Sequence, residues 1–143
     1  MDAVDTLETL EGIKILVVDD DPDSRFLLSL ILTHAGGVVE TAASAAEALA
    51  TLARFRPALL VSDIMMPGDD GISLIEKVRL LEPGLGLRIA AVAVSALPRP
   101  EDEQRALAAG FQAYVRKPIE PEMILDAILK AHPEPQSPEP PHV

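Results

Sequence analysis

Five short apolar runs alternate with segments of helical spacing, and this alternation constrains the fold more than any other feature. The runs lack polar alternation and are too short for helices, so each predicts a strand buried on both faces. Strands that alternate with helices form a parallel α/β sheet that is covered on both sides. Right-handed crossovers and five strands favour the doubly wound, flavodoxin-like order 2-1-3-4-5. The predicted strands cover residues 14–18, 38–42, 58–62, 89–94 and 113–116.

Start and stop signals predict a helix after each strand. Asp21 precedes Pro22, which gives an N-cap followed by proline at the first helical position. Ser44 and Glu47 have the spacing of a capping box. Residues 82–86, with two glycines and a proline, predict a turn-rich link rather than helix. The five helices are predicted from 22 to the glycine pair 36–37, from 44 to about 54, and over 72–81, 98–109 and 121–131.

The two ends of the chain differ from its middle. Residues 1–12 are acidic, with Val4, Leu7 and Leu10 at helical spacing, and predict a mobile arm or a partner-docked helix. Residues 132–143 contain five prolines and predict an extended, mostly disordered tail. The expected organisation is therefore an N-terminal arm, one folded domain over residues 13–131 and a Pro-rich tail.

Composition limits the classes of partner. The formal net charge of −11 disfavours nucleic acid and anionic membranes, because their phosphates would be repelled, and it leaves cations and proteins open. The chain has no cysteine, which excludes disulfides and thiolate metal sites and suits a cytoplasmic location. We find neither a signal peptide nor an apolar run long enough to span a membrane.

Polar side chains follow four of the predicted strands at the point where each strand ends. Asp19 and Asp20 follow the first strand, Asp63 the third, Ser95 the fourth and Lys117 the fifth. These strand ends share one edge of a doubly wound sheet, so the three carboxylates should converge there. Converging carboxylates raise one another's pKa unless a cation lies among them. Oxygen donors without histidine or cysteine favour Mg²⁺ over zinc.

A lysine and a hydroxyl at the same edge indicate more than a metal site. Mg²⁺ and Lys117 would neutralise the charge on oxygens of a phosphoryl group, and the Ser95 hydroxyl would donate a hydrogen bond to a further oxygen of the same group. A carboxylate can act as the nucleophile and form an aspartyl phosphate. The sequence therefore predicts a site for phosphoryl transfer.

Four segments then carry a resemblance to a known family: Val17-Val18-Asp19-Asp20, Ser62-Asp63-Ile64-Met65-Met66-Pro67 with Asp70-Gly71, Val94-Ser95-Ala96, and Tyr114-Val115-Arg116-Lys117-Pro118. In order and spacing they resemble the receiver domains of bacterial two-component response regulators, over about residues 13–131. The resemblance implies a stand-alone phosphoacceptor domain in a phosphorelay, a signalling protein rather than an enzyme. Its only reactions would be Mg²⁺-dependent self-phosphorylation and self-dephosphorylation.

The resemblance also implies a role for each residue of the site. Asp63 would be the phosphoacceptor and Lys117 the partner of its phosphate. Asp20 would bind Mg²⁺ directly and Asp19 through water, while Asp63 and the Met65 backbone carbonyl complete the metal ligands.

For signalling, the resemblance implies a switch and two kinds of partner. Ser95 would be the switch hydroxyl, with serine where threonine is more usual, and Tyr114 the aromatic residue whose rotamer follows it. A sensor histidine kinase or a histidine phosphotransfer protein would supply the phosphoryl group. The domain would then switch an interaction surface for a downstream protein or relay the phosphate.

Two other readings fit parts of the pattern. A phosphatase of the haloacid dehalogenase type also uses Asp, Ser or Thr, Lys and Mg²⁺ at strand ends. It would need an Asp-x-Asp-x-Thr motif on the first strand, where this chain has Asp23 at the threonine position. A receiver-like interaction module that is never phosphorylated is the second alternative, and the intact Asp19, Asp20, Asp63 and Lys117 argue against it.

Overall fold

A computed structural model of the protein describes residues 10–68, 70–96 and 99–132. Strands and helices alternate along this part of the chain as the sequence predicts. The strands are β1 (Lys14–Val18), β2 (Val38–Ala42), β3 (Leu59–Asp63), β4 (Ala90–Ser95) and β5 (Ala113–Arg116). The helices are α1 (Pro22–His34), α2 (Ala45–Phe55), α3 (Gly71–Leu85), α4 (Pro100–Ala109) and α5 (Pro121–Ala131).

The five strands form one parallel sheet in the order β2-β1-β3-β4-β5, which confirms the predicted topology. The register brings the strand ends to a common edge. Val18 pairs with Ser62, Asp63 pairs with Val94, and Ser95 pairs with Arg116. The residues at and just after the ends of β1, β3, β4 and β5 therefore lie side by side.

Each face of the sheet packs against its own set of helices. α1 and α5 cover one face together with alternate strand residues such as Ile15 and Val17. α2, α3 and α4 cover the other face, where Leu16 and Leu60 point. Both faces are buried, which is why the central strands read as continuous apolar runs.

Helix capping follows the sequence signals. The Asp21 carboxylate accepts a hydrogen bond from the Ser24 backbone N–H at 3.2 Å, and the Ser44 hydroxyl accepts one from the Glu47 N–H at 3.1 Å. Glu47 completes its box on the neighbouring Ala43 N–H, at 2.8 Å, instead of on the N-cap residue. Asp21 and Ser44 thus satisfy N–H groups of the first helical turns, which have no partner within the helix.

The prediction of a link over residues 82–86 is wrong, because α3 continues through Pro83. A Glu82 side-chain oxygen accepts a hydrogen bond from the Ile89 backbone N–H at 2.8 Å, which ties the last turn of α3 to the start of β4. The helix ends at Leu85, and its C-cap Gly86 has a φ of 68°, the left-handed conformation typical of this position. The hydrogen bond between Glu82 and Ile89 joins residues seven positions apart and holds the last turn of α3 in place, although proline and glycine favour a turn there.

Packing at the N-terminal side extends to Leu10, within the predicted arm. Leu10 is fully buried, its N–H donates to the Ala35 carbonyl at 2.9 Å, and the Gly12 N–H donates to Gly36 at 3.0 Å. The rest of the arm, residues 1–9, and the Pro-rich residues 133–143 lie outside the described residues, so the domain boundaries remain predictions. In the described ranges, no helix has both the length and the apolar character needed to cross a membrane.

Candidate functional site

The ends of three strands hold the charged residues of the site. Asp19 follows β1, Asp63 is the last residue of β3, and Lys117 follows β5. Gly71, the first residue of α3, lies directly against the end of β3. A Cβ at this position would collide with the carbonyl of Asp63 and the Cα of Ile64. The glycine therefore permits a close approach of α3 that shapes the loop beyond Asp63.

Lys117 links the two buried carboxylates. Its Nζ donates to Asp19 Oδ2 at 3.1 Å and to Asp63 Oδ2 at 3.2 Å. Asp19 is fully buried and Asp63 is 5% exposed, so both carboxylates have lost most of their hydration. Buried carboxylates need hydrogen-bonded positive charge, and Lys117 supplies it across the sheet edge.

Asp20 joins these two residues in an acidic cluster. Asp19, Asp20 and Asp63 each offer a carboxylate oxygen, and the three oxygens lie within 4.8 Å of one another. Asp20 is exposed, so the cluster opens to solvent on its side. Lys117 pairs with two of these three carboxylates, Asp19 and Asp63, so the cluster keeps excess negative charge on oxygen donors. This donor set is compatible with a hard divalent cation.

The electrostatics of the cluster appear in the pKa of Asp63. Burial, followed by the charge of Asp19, raises that pKa from 3.8 to about 6, although Lys117 and the Met65 N–H partly oppose the rise. For Lys117, burial acts to lower the pKa, but the hydrogen bond to Asp19 and the charge of Asp63 raise it overall. The site thus holds a protonated lysine beside a carboxylate that is costly to ionise.

Backbone groups orient the two buried carboxylates. The Met65 N–H donates to Asp63 Oδ1 at 3.1 Å, and the Asp21 N–H donates to Asp19 Oδ1 at 2.9 Å. The Met65 side chain itself is exposed, so the residue takes part through its backbone. The predicted use of its carbonyl as a metal ligand stays a prediction.

Sequence reasoning missed Arg25. Its guanidinium donates to the Asp19 backbone carbonyl at 2.7 Å and so fixes the start of the loop that carries Asp20. A signal was present, because a basic residue in the first turn of a helix is unfavourable beside the helix dipole. Such a residue calls for a specific partner, and the nearby strand end provides one.

The predicted switch residues lie on neighbouring strands of the same edge. Ser95 is the last residue of β4 and is fully buried, and its carbonyl accepts a hydrogen bond from the Lys117 N–H at 2.8 Å. Tyr114 is half-buried and pairs with Ala93 in the register. Ala93 and Ser95 point to the same face because side chains alternate along a strand, and Tyr114 packs against the core on that face. Their switch roles stay predictions.

Comparison with known proteins decides the family. The chain matches the model of the response regulator receiver domain over residues 15–129. It belongs to this family. The resemblance seen in the sequence is thereby confirmed, and receiver domains are signalling proteins rather than classical enzymes.

Individual relatives of this receiver domain agree with the assignment. A 14.6 kDa protein from the sodA1 3′ region of Leptolyngbya boryana is 49% identical over 115 residues, which cover 80% of this chain and 86% of that protein. The probable transcriptional regulatory protein TcrX of Mycobacterium tuberculosis is 33% identical over 115 residues, covering 80% of this chain and 47% of TcrX. This receiver domain thus spans about half the length of TcrX.

Solved structures give the same fold. The chemotaxis protein CheY4 of Vibrio cholerae aligns with a TM-score of 0.77 at 31% identity, over 84% of this chain and 98% of that chain. The five-stranded parallel sheet of this receiver domain is therefore the CheY-like, flavodoxin-like sheet that the sequence predicts.

Proposed function

We propose that this receiver domain, over residues 13–131, accepts a phosphoryl group on Asp63 in a Mg²⁺-dependent reaction. The donor is the phosphohistidine of a sensor histidine kinase or of a histidine phosphotransfer protein. The observation that carries the proposal is the position of Lys117 Nζ, 3.2 Å from Asp63 Oδ2 and 3.1 Å from Asp19 Oδ2, at the end of β3. A cation held there is ready to pair with phosphoryl oxygens.

Asp19, Asp20 and Asp63, with the Met65 backbone carbonyl, would hold the Mg²⁺. Support comes from the donor chemistry, which is oxygen only, and from the excess negative charge that raises the pKa of Asp63. When bound, Mg²⁺ supplies positive charge to the oxygens of the transferring phosphoryl group. It would also lower the cost of ionising Asp63.

Several residues of the site have defined roles in the phosphoryl transfer. A carboxylate oxygen of Asp63 attacks phosphorus, an O–P bond forms, and the P–N bond of the donor breaks with its electron pair going to the imidazole nitrogen. Lys117 neutralises charge on the phosphoryl oxygens, and the Met65 N–H keeps the Asp63 carboxylate in place. Burial of Asp63 limits competing attack by water. Slow hydrolysis of the acyl phosphate by water at the same site ends the signal.

Phosphorylation adds about −1.5 to −2 of charge beside Lys117 and Ser95. In the proposal, the Ser95 hydroxyl moves to hydrogen-bond the phosphate and Tyr114 turns inward behind it. The surface of α4, β5 and α5 then changes its affinity for a downstream protein, or the domain passes the phosphoryl group to a further histidine. Both outcomes use the same aspartyl phosphate.

Incubation with acetyl phosphate and MgCl₂, followed by intact-mass measurement, tests the proposal. The wild-type protein should gain one phosphoryl group, and Asp63→Asn should gain none. Asp70→Asn is the matched control, because Asp70 caps α3 at 2.9 Å from the Ser73 N and asparagine can keep that cap. EDTA should abolish the gain.

A phosphotransfer protein phosphorylated on histidine should give the same result as acetyl phosphate. If neither donor modifies a folded protein, the proposal is refuted and the chain is an interaction module on the receiver fold. If Asp63→Asn still gained a phosphoryl group, the phosphoacceptor would be a residue other than Asp63.

A further inference from the structure

The backbone that carries Asp20 is held on both sides of this residue. Before it, the Asp19 N–H donates to the Ala42 carbonyl at 3.1 Å, and the Asp19 carbonyl accepts a hydrogen bond from the Arg25 guanidinium at 2.7 Å. After it, the Asp21 N–H donates to Asp19 Oδ1 at 2.9 Å, and the Asp21 carbonyl accepts a hydrogen bond from the Arg25 N–H at 3.0 Å. The exposed side chain of Asp20 therefore extends from a turn whose two flanking residues are fixed.

Arg25 of α1 makes one of these hydrogen bonds with its backbone and one with its side chain. The backbone bond belongs to the helix, so any residue other than proline makes it. The side-chain bond is specific to arginine here, and it fixes the peptide plane between Asp19 and Asp20. Hydrogen bonds from a charged donor are stronger than those between neutral groups. The Arg25 side chain thus restricts the direction in which the Asp20 carboxylate points.

The positive charge of Arg25 acts in the opposite sense on a bound cation. The guanidinium lies against the Asp19 carbonyl, one residue from Asp20. At that position it repels a divalent ion held by the acidic cluster. Loss of the charge alone would therefore strengthen metal binding, whereas loss of the hydrogen bond would weaken it. The sign of the change on substitution separates the two effects.

We propose that Arg25 is a positioning residue for Mg²⁺: it holds the Asp19 carbonyl and thereby directs the Asp20 carboxylate at the ion. This role rests on the proposed function, because it takes Asp20 as a direct ligand of Mg²⁺. Groups that orient metal ligands without touching the metal typically contribute a factor of about 10 to 100 in metal affinity. A turn that is already restrained in its binding conformation loses less entropy when the ion binds.

Titration with MgCl₂ alone, followed by backbone amide NMR, tests the proposal on the full chain without a phosphoryl donor. Arg25→Gln should bind Mg²⁺ about tenfold more weakly than wild type. Arg54→Gln is the control, because it removes the same charge from a surface ion pair with Glu40. Its affinity for Mg²⁺ should stay within about twofold of wild type, since solvent and salt screen a charge at the surface.

An affinity of Arg25→Gln equal to or above that of wild type would overturn the proposal, because only the charge of Arg25 would then affect the ion. Circular dichroism shows whether the variant is folded. If it is not, Arg25→Lys takes its place, since lysine keeps the charge on a shorter side chain. Arg25→Lys should also bind Mg²⁺ more weakly than wild type, and wild-type affinity in that variant would overturn the proposal.

The Mg²⁺ dependence of phosphorylation by acetyl phosphate separates this role from the proposed function. Arg25→Gln should react about tenfold more slowly than wild type at limiting Mg²⁺ and at nearly the wild-type rate at saturating Mg²⁺. A deficit that persists at saturation would overturn the positioning role and place Arg25 in the transfer step. If Arg25→Gln weakens Mg²⁺ binding but wild type gains no phosphoryl group from any donor, the proposed function fails and the positioning role stands. A wild-type protein that binds no Mg²⁺ would refute both.

Discussion

Asp63→Asn should make the metal-free protein more stable at alkaline pH. The pKa of Asp63 in the fold is about 6, against an ordinary value of 3.8, because burial and the charge of Asp19 oppose ionisation. At about 1.4 kcal/mol for each pKa unit, ionising Asp63 in the folded protein costs about 3 kcal/mol. Asparagine occupies a similar volume without the charge, so the free energy of unfolding should rise by up to about 3 kcal/mol.

The pH dependence has a definite sign. Between pH 3.8 and about 6 the folded protein binds more protons at Asp63 than the unfolded chain does. Stability contributed by the protonated carboxyl is therefore fully present below the lower value and is lost as the pH rises through the upper one. The difference in the free energy of unfolding between wild type and Asp63→Asn should be small near pH 4 and reach its full size near pH 8.

Urea unfolding followed by circular dichroism, in EDTA and at both pH values, measures the difference directly. Asp126→Asn is the control, because that carboxylate is 68% exposed beside Lys130 and its loss should change stability by less than about 0.5 kcal/mol. Added Mg²⁺ should stabilise the wild type more than the variant and so narrow the gap. An Asp63→Asn variant no more stable than wild type at pH 8 would refute the electrostatic reasoning.

Three further predictions concern the surroundings of the site. Asp19→Asn should lower the pKa of Asp63, because it removes a negative charge. Carbon-13 NMR titration of the carboxyl groups measures this pKa, and a rise in the variant would contradict the prediction. Lys117→Gln should raise the pKa of Asp63. It should also slow phosphorylation by acetyl phosphate roughly 10²-fold, as followed by intact mass. An unchanged rate would show that Lys117 does not assist phosphoryl transfer. Glu82→Ala should lower the free energy of unfolding in urea by about 1–3 kcal/mol, because the Ile89 N–H loses its hydrogen-bond partner. The phosphorylation rate should stay normal. Unchanged stability would contradict the anchoring of α3 by Glu82.

Local signals in the sequence were sufficient for most of the fold. The strands are apolar because both faces of the sheet are covered, and this burial is visible in one dimension as an unbroken hydrophobic run. The caps at Asp21 and Ser44 involve residues only a few positions apart, so they too are visible in the sequence. The end of α3 was not predictable in this way, because Glu82 is held by Ile89 across a loop.

The same distinction between what the sequence predicts and what it does not applies to the site. Asp19, Asp20, Asp63 and Lys117 were predictable because parallel strands bring their carboxyl ends to one edge. Contacts within the site depend on side-chain directions that spacing does not specify. Spacing alone gives no sign that Lys117 bridges two carboxylates, nor that Arg25 reaches back to a strand carbonyl. Burial of Leu10 depends likewise on packing against α1 and α5.

Locating the phosphoryl group on the chain tests the central claim most directly. After reaction with acetyl phosphate and Mg²⁺, borohydride reduces an aspartyl phosphate to homoserine, which peptide mass spectrometry assigns to a single residue. We predict homoserine at Asp63 alone, with formation that requires Mg²⁺ and disappears in Asp63→Asn. Homoserine at Asp19 or Asp20, or none at any aspartate of a protein that has gained a phosphoryl group, would contradict the account.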